Sequence, residues 1–144
     1  MGAVEFEQYG FGKDSDAAFD SCVRQAHYEH GHDSYNGTIS TVSSHRTFSL
    51  PARANHLHIA DLVWKLYDTD DETYPFEWAD PSPLGWLPKG LEASQVLEMV
   101  ASIEKWESCC GILVTGTAAQ KKREQCGWKG LHGAVYYFFG LAAC

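Results

Sequence analysis

His27, His30 and His32 fall within the string HYEHGH, and the turn SYNGT follows at once from Ser34 to Thr38. Imidazole nitrogens are common ligands for zinc and its neighbours. His27 and His30 are spaced to meet on one side of a helix, and His32, just past Gly31, can swing back toward them. The alternative reading this spacing opens is a metal-dependent hydrolase or nuclease built on His27, His30 and His32, with Asp33 as an added carboxylate. The spacing is not HExxH, no CxxC flanks it, and His56 and His58 would have to come from another element to complete a tetrahedral set. The competing reading makes His30 a core histidine bonded to backbone and leaves the others solvated or turn-forming.

The turn carries a second kind of chemistry. Asn36-Gly37 accepts positive φ at low cost, and Thr38 offers a hydroxyl beside a backbone N–H, donors suited to a phosphate or carboxylate. Tyr35 can stack on a base. His32, Tyr35, Asn36, Gly37 and Thr38 therefore form the candidate ligand-binding set. The plain alternative is that Asn-Gly simply starts a strand while Tyr35 plugs the core edge.

No catalytic residue is predicted. The chain lacks a G-x-S-x-G elbow and both glycine-rich phosphate loops, so no motif implies a cofactor. Cys109 and Cys110 are expected to close a helix, where the dipole does not activate a thiol.

Elements must position these groups. Val4–Tyr9 alternates like an opening strand, and a helix follows from Asp14 or Ser15 to Gly31. Its core stripe is read as Phe19, Cys22, Val23, Ala26 and His30. Thr38–Val42 and His45–Leu50 are expected to pair as a hairpin through Ser43 and Ser44. Helices are predicted from Asn55 to about Tyr67 and from about Leu91 to Glu107, then strands over Gly111–Thr115 and Ala134–Phe139 with a polar loop between them. The last strand is apolar on both faces, which predicts a central or covered position. The order points to a single α+β domain over residues 1–144, an antiparallel sheet of about five strands with helices on one face, compatible with a ferredoxin-like arrangement with additions.

At 144 residues and 44% hydrophobic, the chain can bury one core. Its formal charge of -8 argues against general nucleic-acid binding, and Lys121, Lys122 and Arg123 are its basic run. Acids gather from Asp68 to Asp80 in a proline- and aromatic-rich stretch reaching Trp86, the basis for a protein-interaction reading. Met1 is followed by GAVEFEQYG in place of an apolar leader, and no window reaches the roughly 18 apolar residues of a membrane span, which predicts a cytosolic protein with reduced thiols.

The string AFDSCVRQAHYEHGHDSYNGTIST, Ala18 to Thr41, and the ending AVYYFFGLAAC, Ala134 to Cys144, cover about a quarter of the chain. Together they resemble a small, mostly uncharacterised set of bacteriophage-encoded proteins sharing a YExGHxxYxGTI motif and an aromatic FFG ending. The matching positions are Tyr28, Glu29, Gly31, His32, Tyr35, Gly37, Thr38 and Ile39, then Phe138, Phe139 and Gly140. The resemblance implies no activity. It shifts weight from His27 and His30 to His32 and the turn, and implies an accessory protein in the host cytoplasm that binds a nucleotide-like ligand or a host protein without covalent chemistry.

Overall fold

The computed structural model describes residues 3–32, 36–51, 54–68, 87–104 and 107–143. The elements run β1 (Ala3–Gly12), α1 (Ser15–His30), a 3-10 turn at Ile39–Thr41, β2 (Ser44–Phe48), α2 (His56–Asp68), α3 (Ala93–Ala101), β3 (Ser108–Val114), α4 (Gly116–Cys126) and β4 (Ala134–Ala143). The class is α+β. One sheet has the order β1-β4-β3-β2, with β4 antiparallel to both neighbours and β2 parallel to β3.

The expected antiparallel sheet of about five strands is thus corrected to a mixed sheet of four among the described residues. The missing arm is Thr38–Val42. Asn36 Oδ1 accepts from both the N–H and the hydroxyl of Thr38, and Thr38 Oγ1 in turn accepts from the Ser40 N–H. These local bonds tighten the chain into a 3-10 turn and outweigh the strand preference of β-branched residues. β2 instead pairs in parallel with β3, a pairing that requires a crossover, and among the described residues α2 and α3 lie on that connection. Among the described residues two helices stand between β2 and β3, which departs from the ferredoxin-like order.

Helices cover both faces, not one. Ala18, Phe19, Cys22 and Ala26 of α1 pack on Cys109, Tyr136 and Phe138. On the other face α2, α3 and α4 bring Ile59, Val63, Val96, Met99 and Ala119 onto Ile112, Tyr137 and Phe139. The cause lies in β4, whose AVYYFFGLAA is apolar at both parities. Each parity of an extended strand faces a different side, so both need cover.

Three boundaries follow their sequence signals closely. Asp14 caps α1 by accepting from the Ala17 N–H at 2.8 Å, and Gly31 ends it at φ 81°. Asn55 caps α2, accepting from the N–H groups of Leu57 at 2.8 Å and His58 at 3.3 Å. His30, however, is exposed and does not share the buried stripe of α1.

The helix expected to reach Glu107 stops at Ala101. Ser102 turns its hydroxyl back to the Met99 carbonyl at 2.5 Å, and Glu104 bridges to Ser108 at the start of β3. Cys109 and Cys110 are therefore strand residues, both fully buried. Burial pushes the Cys110 thiol up to about 12 and raises that of Cys109 as well. The polar loop expected before β4 contains α4. That helix buries Ala119 alone, so it shows little apolar periodicity, although AAQKKREQ is composed of strong helix formers.

Candidate binding cleft

Gly10 lets α1 lie close on β1. A methyl group there would come within 2.6 Å of Cys22 Sγ and 2.8 Å of the Ala18 carbonyl oxygen. On the opposite face Tyr9 and Phe11 meet the C-terminal half of α4 and the turn after it. Lys122 Nζ sits 4.1 Å from the centre of the Tyr9 ring, and Trp128 stacks on Phe11 at 5.3 Å. Arg123 holds this turn in place, donating to the carbonyls of Leu131 and Gly133 while its guanidinium lies over Phe11.

A cleft of about 710 Å³ lies between these two helix layers. Its floor is Glu7, Gln8 and Tyr9 in the middle of β1. Gln25 and Glu29 of α1 form one wall, bonded to each other at 3.0 Å, and Lys122, Cys126 and Trp128 form the other. Because α1 and α4 lie on opposite faces of the sheet, a cleft touching both must pass round the sheet's edge. That edge is the outer side of β1, where no strand lies among the described residues. The volume is within the range of natural ligand pockets.

Behind the floor is a polar cluster. Tyr9 Oη is hydrogen-bonded to Nε2 of the buried His56 at 2.6 Å, and Tyr137 donates to the Glu7 carboxylate. Burial, then the charge of Lys122, holds His56 below the usual imidazole range. Burial, then the Glu7 charge, raises the Tyr9 phenol, and burial with the Glu7 bond and charge raises Tyr137. Raised phenols beside a neutral imidazole are poor nucleophiles. The cluster fixes the shape of the floor. From sequence His56 is only a distant metal-ligand candidate, since nothing local pairs it with Tyr9.

The histidine string does not gather. His27 and His32 stack with ring centroids 4.2 Å apart and 29° between planes, whereas one ion bound by both needs nitrogens converging in the ring planes. His30 Nε2 lies 3.8 Å from Glu29 Oε2 on the exposed side of α1. Among the described residues no group of three or more His, Cys, Asp or Glu could hold a metal ion. Asp33 lies outside the described residues.

The turn is a junction. Gly37 donates its N–H to the Ala143 carbonyl at 2.7 Å, and Ala143 returns its own to Thr41 Oγ1 at 2.9 Å, tying the turn to the end of β4. The Thr38 N–H and hydroxyl, the donors expected for an anion, are engaged by Asn36. The Asn36 amide donates to the Gly31 carbonyl and to Ser40 Oγ. His32 stands exposed beside this network, and Tyr35 lies outside the described residues, as does the acidic aromatic stretch after Asp68 up to Trp86.

One further arrangement has the order of a relay. Asp16 Oδ1 and Thr47 Oγ1 lie 2.8 Å from opposite nitrogens of His45. The hydroxyl is crowded, however: a methyl group at Gly111 would lie 2.7 Å from it, and His45 is packed between Phe19 and Phe138. We read the trio as a bridge from α1 to β2. No family model matches the chain, and neither the curated proteins nor the solved structures gave a match.

Proposed function

We propose that this is a small phage accessory protein that acts in the host cytoplasm by non-covalent binding of a host protein, using the cleft along the outer edge of β1. The observation that carries the reading is that cleft, a groove walled by both helix layers over a strand edge with no partner among the described residues. An unpaired edge is a template for another chain, and proteins that do not use one usually blunt it. Support also comes from Tyr28, 92% exposed and one helical turn from Gln25 of the wall. Exposed aromatics beside a groove are typical anchors of protein interfaces. The phage assignment rests on the resemblance of the Tyr28–Ile39 and Phe138–Gly140 motifs. No helix among the described residues is long and apolar enough to cross a membrane.

A nucleotide-like ligand at His32, Asn36, Gly37 and Thr38 is the weaker version, because the donors that would hold a phosphate already bond within the chain. The test is affinity capture from a lysate of the host bacterium, comparing the wild-type chain with Glu29→Lys and Lys122→Glu. A partner retained by the wild type and lost with either variant is expected. Equal capture by all three would overturn the cleft as the contact surface.

A further inference from the structure

Resting on that proposal, we infer that the cleft takes an extended polypeptide segment that adds to the outer edge of β1 as a further strand, its side chains alternating between basic and apolar. Strand addition requires a free edge of adequate length, room on both faces for alternating side chains, and walls that distinguish those two rows. β1 runs for ten residues, longer than most strands. Every second residue of an edge strand turns its N–H and C=O away from the neighbouring strand, here β4.

The walls differ in chemistry. A side chain pointing to the α1 side meets Gln25 and Glu29, and Asp20 and Glu29 outnumber Arg24 on the exposed part of that helix. One pointing to the α4 side meets the Tyr9 and Trp128 rings and Cys126, with Lys122 already lying over Tyr9. The first wall selects Lys or Arg and the second an apolar group that avoids competing with Lys122. Acids at Glu5 and Glu7 on β1 itself disfavour a second copy, since antiparallel pairing of two β1 strands brings carboxylates together.

The test uses a labelled synthetic peptide of about eight residues alternating lysine and valine, titrated against the full chain by fluorescence anisotropy. Two derivatives carry N-methyl groups, one on the lysine amides and one on the valine amides. In a strand one of these sets faces β1 and the other faces solvent. Methylation of the facing set is expected to weaken binding about tenfold or more and methylation of the other to be tolerated. Glu29→Lys is expected to weaken the parent peptide by a similar factor. Equal effects of the two methylations overturn strand addition and leave the cleft contact to the capture experiment. Failure of the parent peptide to bind overturns the occupant's chemistry. A chain that sediments as a dimer and refuses the peptide puts a second copy on the edge instead, and overturns the inference too.

Discussion

The Tyr9 hydroxyl and His56 Nε2, 2.6 Å apart, join the edge strand β1 to the start of α2 across 47 residues of sequence. Both rings rest on Tyr137, with centroids at 4.9 Å and 5.2 Å. Tyr9→Phe keeps the ring and removes the partner of a histidine that is only 6% exposed. A buried polar group left unpaired costs about 1–3 kcal/mol, and a loss of that size is expected in the denaturation midpoint at neutral pH. An unchanged midpoint would mean that water replaces the phenol.

The same histidine makes stability depend on pH. Its folded pKa is lowered by burial and by Lys122, so the unfolded chain binds the proton more readily. The contribution is fully present above the unfolded value, about 6.5. It is lost as pH falls from there toward the lowered folded value. Urea midpoints are expected to decline between neutral pH and about pH 5, and His56→Gln is expected to flatten that decline. A slope equally steep in the variant would assign the effect to other groups.

Much of the local structure was legible because its causes are local. Asp14 and Asn55 begin helices and Gly31 ends one, through bonds and dihedrals within a few residues. What escaped depends on partners. The apolar periodicity of α4 is slight because it buries only Ala119, and the parallel pairing of β2 joins it to β3, some sixty residues further along, which nothing in its own residues marks. The cleft could not be read at all, since Gln8, Gln25 and Lys122 converge only once β1 is known to be an outer strand. The histidine string had the opposite fault, offering a spacing that the end of α1 resolves into a stacked pair and an exposed residue.

Thr38 separates a structural turn from a ligand site. Its hydroxyl caps the 3-10 turn by accepting from the Ser40 N–H. Thr38→Ala is expected to cost about 0.5–2 kcal/mol in chemical denaturation, the usual range for a lost cap. Capture of the host partner by the folded variant should be unchanged. Full stability together with lost capture would return the contact surface to this turn.

Gly10 is required by the approach of α1 to β1. The Cβ of Gly10→Ala would meet the Ala18 carbonyl oxygen at 2.8 Å, a backbone atom that cannot rotate away, so the helix must move. Overpacking of this kind typically costs about 1–3 kcal/mol, which a shift in the thermal or urea midpoint will show. The α1 wall of the cleft moves with the helix, so weaker capture is expected as well.

The thiols report burial directly. Cys22 is pushed up to about 12 by burial alone, and Cys110 to a similar value, while Cys126 is exposed on α4 and lines the cleft. At pH 8 a thiol with a pKa of about 12 is ionised in only about one molecule in 10,000, and the thiolate is the species that alkylates. Brief treatment of the native chain with iodoacetamide is expected to label the peptide containing Cys126 and to spare those containing Cys22, Cys109 and Cys110 until urea is added. The lysine–valine peptide should slow labelling of Cys126, because an added strand covers that wall. Protection absent at saturating peptide would show that the peptide sits elsewhere, and labelling of Cys109 or Cys110 in the native chain would contradict their place in β3.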